Sequence, residues 1–346
     1  MTLVSPFGTK AKVNCASISE YGVRLTTFEV RFHRFVLAEC NTHRDFSRNS
    51  ASSRAIPVEK IRNNVMEDPA LPIYWGANQK GMQAAEELDA ATMAQCEEIW
   101  LRARREAVDF AVLLEEMGLH KQLTNRLLEP YMWHTAIITA TRFDNFFWQR
   151  CHKDAQPEMR AAADAMQLAY YTSEPKLVKN GDWHLPFTDE TDWLLMRDIM
   201  VDPTDEVGLV EGMKHISAAR CARVSYLNHN GQRSIQDDLT LYNRLAHGQH
   251  WSPFEHVATP CPHIELINEL NDSDDMLNDK TIREFGLEVI CPKTGNFRFG
   301  WEQMRKEYAD ENRTDFIPNL PELAHVAERM TNLAEILQEE GQTNAV

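Results

Sequence analysis

The sequence predicts a protein of the α/β class in the broad, α+β sense, in which long helices pack with a sheet of modest size. One long segment repeats its apolar residues at alternating intervals of three and four, as an amphipathic helix does. Short runs of β-branched and aromatic residues elsewhere favour strands. The 346 residues are 43% hydrophobic and 25% charged, so the chain can bury a core in one large domain or two ordinary ones.

The N-terminal third predicts a strand, a loop and the clearest helix of the chain. Residues 25–40 mix β-branched and aromatic residues and predict a strand that leads into a helix or loop. Residues 41–57 are polar and predict an ordered loop. A helix is expected over 84–117, because Gly118 is a natural stop. Its apolar stripe, typical of a core or an oligomer interface, consists of Met93, Cys96, Trp100, Ala103, Ala107, Phe110, Leu114 and Met117.

The middle of the chain predicts further helices and a connector. A second helical region is expected over 123–150, interrupted at Glu129-Pro130 because proline disfavours helix in the residue before it. A third helix begins at Pro157, a favourable first-turn residue. Residues 173–206 are rich in Pro, Gly, Asp and Trp and predict a connector. The next expected elements are a helix over 208–221 and a short strand over 223–227.

The C-terminal third predicts a capped helix, a strand and an acidic insertion. Ser234 and Asp237 form a capping-box-like start to a helix, and residues 256–262 favour a strand. Residues 267–280 are acidic and predict a surface insertion. The chain is therefore expected to divide into the segments 1–172, 173–206 (the connector), 207–310 and 318–346 (an amphipathic C-terminal helix).

The charge balance limits the classes of partner. The formal net charge is -16 at pH 7, and the sequence pI is about 5.3. Such a surface repels polyanions, so a nucleic-acid partner is not expected. An anionic ligand must then be held by a local concentration of arginine.

Cysteine usage and hydropathy indicate a cytoplasmic protein. The seven cysteines are odd in number and never spaced C-x-x-C, which argues against a disulfide framework and a thiolate zinc site and predicts reduced thiols. His250 and His256 lack a carboxylate or cysteine at a known ligand spacing, so no metal is predicted. No signal pattern is present, and no apolar run approaches the roughly 18 residues of a membrane span.

The densest anion-binding signal lies between Thr42 and Arg54. Three Arg, one His and four Ser occur within these thirteen residues of an acidic protein. Guanidinium groups pair with phosphate oxygens through two donors each, and hydroxyls and loop amides supply more. Composition alone is equally compatible with a solvated basic loop and with a phosphate site.

Two further segments carry candidate chemistry. Arg126 precedes Pro130, and the aromatic run 145–150 ends at Arg150. Later, the sequence RCARVS at 220–225 is followed by HWSPFEH at 250–256. No G-x-S-x-G or Cys/His signature indicates covalent catalysis, and no G-x-G-x-x-G or Walker loop indicates a Rossmann-type or P-loop nucleotide site.

These motifs resemble those of the flavin-dependent thymidylate synthases, the ThyX family. That family carries Arg-His-Arg-x-x-Ser-x-Asn-Glu-x-Ser-x-Arg, matched here from Thr42 to Arg54. Its Ala-Arg-x-x-x-Pro, Asn-Phe-Leu-x-Leu-Arg and Ala-Gln-x-Glu segments resemble residues 125–130, 145–150 and 155–158. Its N-terminal Ala-Ala-Arg-Val-Ser and His-x-x-Pro-Phe-Glu-His motifs resemble 221–225 and 250–256, which here follow the others. The order indicates a circular permutant, as is feasible when domain termini lie close together.

The resemblance implies a fold of long helices around a mostly antiparallel sheet and a homotetramer with active sites between subunits. It implies a thymidylate synthase that binds FAD and converts dUMP to dTMP with methylenetetrahydrofolate and NADPH. Arg150 matches the arginine that favours ionisation of the pyrimidine N3. The residues implied in substrate binding are Glu39, Thr42, Ser50, Ser52, Ser53, Arg54, Arg126 and Arg150. Those implied in cofactor binding are Thr42, His43, Arg44, Ser50, Asn145, Arg223, Ser225, His250 and Ser252, together with Thr139 and Thr141 through the backbone.

Several positions depart from the family pattern and leave alternatives open. Thr42 replaces Arg, Ser50 replaces Glu, and Thr141 replaces an Arg that helps to hold the cofactor. Glu39 stands where the family has Gln, and an ionised Glu only accepts hydrogen bonds. Three alternatives therefore stay open: the substrate is a cytosine nucleotide, the product is hydroxymethylated, or the protein binds flavin or nucleotide without catalysis. The arginines at 44, 54, 126 and 150 are expected to converge on the flavin and pyrimidine ligands.

Overall fold

A computed structural model describes most of the chain. The described residues are 2–5, 8–223, 234–261, 293–297, 299–312, 325 and 328. Met1–Tyr308 form one compact unit and Ala309–Val346 a second. Of the predicted C-terminal helix, only His325 and Glu328 are described, and both are helical and exposed.

The first unit is built on a six-stranded sheet, which confirms the predicted mixture of helices with a mostly antiparallel sheet. Its strand order is β1-β2-β3-β5-β4, and β6 pairs with β2 in parallel while the other pairings are antiparallel. A second sheet pairs β7 with β8. The strands are β1 (Thr2–Val4), β2 (Lys10–Ser19), β3 (Arg24–His33), β4 (Ser47–Ser50), β5 (Trp133–Ala140), β6 (Lys176–Val178), β7 (Ala258–Pro260) and β8 (Trp301–Gln303).

Helices cover the sheet. They are α1 (Leu37–Cys40), α2 (Val58–Glu67), α3 (Ala90–Glu116), α4 (Lys121–Thr124), α5 (Asp144–Arg150), α6 (Pro157–Thr172), α7 (Glu190–Ile199), α8 (Glu206–Arg223) and α9 (Ile235–His247). The predictions of α6, of α8 and of α9 with its Ser234 N-cap are confirmed. Helix α6 packs on β2 and β3 through small residues and methionines such as Met159, Ala162 and Met166, which let helix and sheet approach closely.

The predicted helical region 123–150 is wrong at its centre. Trp133–Ala140 forms β5, which lies between β3 and β4 in the sheet. Its β-branched and small residues are buried on both faces, so no alternation of polar and apolar positions distinguishes this run from a helix. The flanking segments are helical, as α4, a 3-10 segment over Asn125–Tyr131 and α5. Similarly, the predicted loop 41–57 contains the strand β4.

Helix α3 buries one part of the predicted stripe and exposes another. Asp89 caps its start, and Gly118 with a φ of 83° follows its end. The buried residues are Arg104, Val108 and Ala111. Of the stripe, Ala107 packs against Val108 and Ala111, whereas Phe110 and Met117 are 55% and 82% exposed. The stripe is therefore core on one edge and exposed on the other within one chain.

The predicted connector contains both β6 and α7 and is tied into the fold. Arg220 on α8 donates two hydrogen bonds to Asp192 on α7, at 2.7 and 2.8 Å, and one to Asp238 on α9, at 2.8 Å. Because all three side chains are buried, the pairing compensates the cost of removing their charges from water. Helix α8 runs through Arg223, and the rest of the predicted strand 223–227 lies outside the described residues, as does the acidic segment 267–280.

Among the described cysteines, Cys261 departs from expectation. Cys15, Cys40, Cys96, Cys151 and Cys221 are free, whereas Cys261 is disulfide-bonded. The expectation of reduced thiols is therefore wrong at Cys261, because scattered spacing in a sequence does not report which residues the fold brings together. In the described ranges, no helix is long and apolar enough to cross a membrane, and no group of His, Cys, Asp and Glu has the arrangement of a metal site.

Candidate active site

The signature segment, Thr42 to Arg54, follows the short helix α1 and folds as a turn that leads into strand β4. Arg48 closes the turn, because its Nη1 atom donates to the carbonyl oxygens of Cys40, at 3.1 Å, and His43, at 3.0 Å. Phe46 is buried beneath the turn and packs on Phe146 of α5, with ring centroids 5.1 Å apart. The turn is thereby held against the first residues of α5.

Arg150, in the last turn of α5, gathers three of the predicted site residues into what we call the Arg150 cluster. Its Nε atom donates to Nε2 of His43 at 2.9 Å, and its Nη2 atom donates to Oγ1 of Thr42 at 3.1 Å. Its Nη1 atom forms an ion pair with the carboxylate of Glu39. The side chains of Arg150 and Glu39 are 19% and 24% exposed, so the cluster is accessible at the surface.

The electrostatics of the Arg150 cluster keep His43 neutral. Burial, and then the charges of Arg150 and Arg48, lower the pKa of His43 to about 4. Because Nε2 accepts the hydrogen bond from Arg150, the ring proton of neutral His43 lies on Nδ1. The cluster therefore holds one guanidinium, one carboxylate and one uncharged imidazole.

A second cluster surrounds Glu129, and we call it the Glu129 cluster. Its Oε1 atom accepts hydrogen bonds from Ser53 Oγ at 2.6 Å, Arg126 Nη1 at 2.7 Å and Arg34 Nη2 at 3.1 Å. Buried Asn125 holds the loop in place, because its Nδ2 atom donates to the carbonyl oxygens of Ser53, at 2.8 Å, and Ile56, at 3.0 Å. The predicted substrate residues Ser53 and Arg126 are thus brought together, with a carboxylate between them.

Two of the four predicted arginines, Arg126 and Arg150, belong to different clusters. Arg44 and Arg54 have exposed side chains, and the hydrogen bonds of the two clusters include neither of them. Arg126 is 47% exposed and paired with Glu129. The expected convergence of the four arginines involves active sites formed between subunits, so it stays a prediction that a single chain does not test. Ser50 and Ser52 are half-buried on the same segment as Arg54.

The motif at 250–256 packs against the signature strand. The 3-10 segment Ser252–His256 lies on β4 and β5, and His256 Nδ1 is hydrogen-bonded to Thr139 Oγ1 at 2.7 Å. Asn49 of β4 donates to the carbonyl oxygen of Cys221 on α8, at 2.6 Å. The fold therefore brings together three motifs that are distant in sequence, while the circular permutation stays a prediction.

The remaining predicted cofactor residues fall into two groups. Asn145, His250 and Ser252 are exposed. Thr141 donates from Oγ1 to the carbonyl oxygen of Phe297 at 2.9 Å, and Arg223 pairs with Asp238 at 2.8 Å. Ser225 lies outside the described residues.

Sequence reasoning gave no role to the residues 293–297 and 299–303, which pack across the signature strand. Gln303 Nε2 donates to Ser47 Oγ at 3.0 Å and to Asn296 Oδ1 at 2.8 Å, and Ser47 Oγ donates to the same Asn296 oxygen at 2.9 Å. Gly295 has a φ of 57°, and a Cβ there would lie 2.2 Å from Gln303 Oε1. The glycine is therefore required for this contact.

Sequence reasoning also missed a buried chain of hydrogen bonds beneath the site. His184 joins Ser17 through Nδ1 at 2.7 Å and Thr27 through Nε2 at 2.8 Å. Thr27 and Thr139 hydroxyls are 2.7 Å apart, and Thr139 reaches His256. These residues come from elements far apart in sequence, so no local pattern signals the chain.

Together these features define an α+β protein with clustered arginine, serine and carboxylate groups at the edges of a signature loop. Residues 21–175, which contain both clusters, match the model of the family described as "Thymidylate synthase complementing protein". This match confirms, over that segment, the resemblance to the family of the flavin-dependent thymidylate synthases. The match ends before the motifs at 221–225 and 250–256.

Comparison with solved structures finds a UMP/dUMP methylase, PolB from Streptomyces cacaoi. Its structure bound with 5-Br UMP is 16% identical, covers 47% of this chain and 88% of that chain, and has a TM-score of 0.40. Its structure bound with 5-Br dUMP is 17% identical in sequence, covers 42% of this chain and 66% of that chain, and has a TM-score of 0.36. No curated protein sequence matches the chain.

Proposed function

We propose that this protein is a pyrimidine nucleotide C5 methyltransferase, and specifically an FAD-dependent thymidylate synthase that converts dUMP to dTMP with methylenetetrahydrofolate and NADPH. The observation that carries the proposal is the Arg150 cluster, in which Glu39, Thr42 and His43 meet Arg150 within the segment that matches the family. The acidic surface, with its net charge of -16, is consistent with a small nucleotide ligand in the cytoplasm and not with nucleic acid.

Arg150 supplies the electrostatic part of the proposed chemistry. A fixed guanidinium stabilises negative charge that develops on a pyrimidine ring, and it is most effective when its position is set before the reaction. His43 and Thr42 hold Arg150 in place by hydrogen bonds, and neutral His43 adds no competing positive charge. The ring can then become nucleophilic at C5 without an enzyme thiolate.

The cysteines support a route without thiolate. Burial raises the pKa of Cys40, beside the signature turn, to about 11 and raises that of Cys221 well above its ordinary value. Both side chains therefore remain thiols at neutral pH and pack as small apolar groups.

The residues present fit a bound FAD in part. Arg44, Asn145, His250 and Ser252 have exposed side chains with donors for a flavin ring and its diphosphate, and they are the residues that would hold it. Thr139 is buried and Arg223 is paired with Asp238, so their side chains are committed to the protein. When bound, the flavin supplies hydride chemistry, while the protein positions and polarises the ligands.

We also propose a homo-oligomer, a tetramer by family resemblance. Helix α3 exposes Ile99, Phe110, Leu113 and Met117, which are 67%, 55%, 52% and 82% exposed. An apolar stripe of this kind supports association with another copy. Association would also give exposed Arg44 and Arg54 a route to a site shared between subunits.

A cytosine nucleotide is the second candidate substrate, and Glu39 is the observation that favours it. The carboxylate of Glu39 accepts hydrogen bonds, and the exocyclic amine of cytosine donates them, whereas uracil presents a carbonyl at that position. Turnover of dUMP and dCMP should be compared in the wild type and in Glu39→Gln. Clear preference of the wild type for dUMP would remove this candidate.

Two measurements test the main proposal. Purified protein should show a flavin absorbance band, and incubation with methylenetetrahydrofolate and NADPH should release tritium from C5 of dUMP with dTMP as product. A hydroxymethyl product would point to the related transferase, and nucleotide binding by a colourless protein without turnover would point to a silent binding protein. Either result would overturn the thymidylate synthase proposal.

A further inference from the structure

Glu129 lies where the nucleotide phosphate is expected. We propose that Glu129 is a built-in competitor of the substrate's 5′-phosphate, so that the phosphate binds only in exchange for the Glu129 carboxylate. The inference rests on the proposed function for the identity of the nucleotide. It concerns the choice between a phosphorylated and an unphosphorylated pyrimidine ligand.

The hydrogen bonds of the Glu129 cluster converge on one atom. Ser53 Oγ, Arg126 Nη1 and Arg34 Nη2 all donate to Oε1 of Glu129, at 2.6, 2.7 and 3.1 Å. A hydroxyl and two guanidinium groups around one anionic oxygen form the donor set that also binds a phosphate oxygen. The carboxylate therefore occupies the donors that a phosphate would use.

The segment that carries the Ser53 donor is held in place independently of Glu129. Buried Asn125 ties the backbone of Ser53 and Ile56 to its own 3-10 segment, and Lys121 donates to the carbonyl oxygen of Ala55 at 3.0 Å. The Ser53 side chain is buried, and the Arg34 side chain is 18% exposed. Removing the carboxylate charge would thus leave Ser53 near its present position, and the low exposure of Arg34 limits how far that side chain can move.

Glu129 is ionised in this environment. Burial acts to raise its pKa, but the hydrogen bond from Ser53 and the charges of Arg34 and Arg126 lower it overall. Two guanidinium groups and one carboxylate leave the cluster with a net charge of one, which is a weaker attraction for a phosphate dianion than two uncompensated arginines. Like charges brought together in a partly desolvated site disfavour binding.

The Glu129 side chain can also move out of the cluster towards solvent. Its side chain is 20% exposed, and that of Arg126 is 47% exposed, so the cluster opens to solvent on the Arg126 side. Rotation of the flexible glutamate side chain would release Ser53 and both arginines to a phosphate. In the described part of the structure, Nε of Arg34 and Nε2 of nearby His134 are buried without a hydrogen-bond partner, so the cluster is not fully satisfied by Glu129.

The test compares Glu129→Gln with the wild type by titration calorimetry of the full-length protein. The ligands are dUMP, deoxyuridine and inorganic phosphate. Gln keeps the shape and one acceptor but removes the charge, so dUMP and inorganic phosphate should bind at least about tenfold more tightly, with deoxyuridine unchanged. Arg126→Ala in the Glu129→Gln background should reverse the gain. Glu206→Gln, which alters an exposed ion pair with Arg197, is the matched control and should leave all three affinities unchanged.

The outcomes separate this inference from the proposed function. Weaker binding of dUMP by Glu129→Gln would show that the carboxylate organises the donors, and unchanged binding would show that phosphate is held elsewhere; either overturns the proposal. Tighter binding of inorganic phosphate without any pyrimidine turnover would support the competitor and reject the methyltransferase. Formation of dTMP together with unchanged affinities in Glu129→Gln would support the methyltransferase and reject the competitor. Circular dichroism of each variant verifies that it has folded.

Discussion

Arg150 donates a hydrogen bond from its Nε atom to the Nε2 atom of His43, over 2.9 Å. The bond joins the last turn of α5 to the signature turn, and it assigns the proton of neutral His43 to Nδ1. Arg150 also holds Glu39 and Thr42, so one guanidinium orders the whole edge of the proposed pyrimidine site. Four predictions test this site and its supports.

Substitution of Arg150 by lysine should remove activity while leaving the fold intact. Lysine keeps the positive charge but cannot contact Glu39, Thr42 and His43 at once, because its ammonium lacks the planar fork. We expect kcat/KM for tritium release from dUMP to fall on the order of a hundredfold, the magnitude typical of a lost preorganised electrostatic contact. Urea unfolding of the variant should change little, since Arg150 lies at the surface edge.

Arg160→Lys on α6 is the matched control for this variant. Arg160 forms a surface ion pair with Asp164 at 3.6 Å, and the two side chains are 46% and 50% exposed. Activity should be unchanged there. Retention of full activity by Arg150→Lys would remove Arg150 from the proposed mechanism.

Thr139→Val should destabilise the fold without abolishing flavin binding. The Thr139 hydroxyl joins Thr27 to His256, at 2.7 Å from each, inside the protein. Its loss leaves buried partners unpaired and should lower the free energy of unfolding by about 1–3 kcal/mol. The resemblance places the backbone, not the hydroxyl, at the flavin, so flavin affinity should hold. Thr139→Ser should be near wild type in urea unfolding, and an equal loss in Thr139→Ser would contradict the hydrogen-bond explanation.

The sequence was sufficient for the helices with a clear period and for the residues of the Arg150 cluster. Helix α6 begins at Pro157 as expected. The motif resemblance placed Glu39, Thr42, His43 and Arg150 among the site residues, and in the fold the first three contact Arg150. Strand β5 was missed because a strand buried on both faces has no alternation. The sequence identified Glu129 only as the residue before a proline. Its place in a cluster depends on hydrogen bonds from Arg34 and Ser53, which lie far away in the chain.

Acidification below pH 6.5 should destabilise the protein through three buried histidines. Burial lowers the pKa of His134, His184 and His256 from 6.5 to about 3. Between these values the unfolded chain binds protons that the folded chain excludes. The stabilisation is therefore complete above pH 6.5 and is lost as the pH falls towards 3, by at most about 1.4 kcal/mol per pH unit for each histidine.

His256→Asn isolates one of these histidines. Asparagine can present a group at the place of Nδ1, towards Thr139, but it does not titrate in this range. Urea unfolding measured between pH 7.5 and 5 should show a shallower dependence of the unfolding free energy on pH, by about one proton. His152→Asn, at a side chain that is 54% exposed, should leave the slope as in the wild type. A slope in His256→Asn equal to that of the wild type would show that His256 already titrates normally in the fold.

Phe110→Glu should dissociate the proposed oligomer. Phe110, Leu113 and Met117 follow one another at spacings of three and four along α3 and are all exposed, while the helix buries Val108 and Ala111 on its other side. A charge at the centre of this stripe would be desolvated by association, which is unfavourable, but it would be harmless in a monomer. Light scattering with size exclusion should therefore show a smaller species, and tritium release should fall with it, because a site shared between subunits needs the neighbouring copy. Leu194→Glu on α7, at a leucine that is 65% exposed, provides the matched control and should keep the wild-type mass. A wild-type protein that is monomeric and fully active would show instead that the stripe has another role.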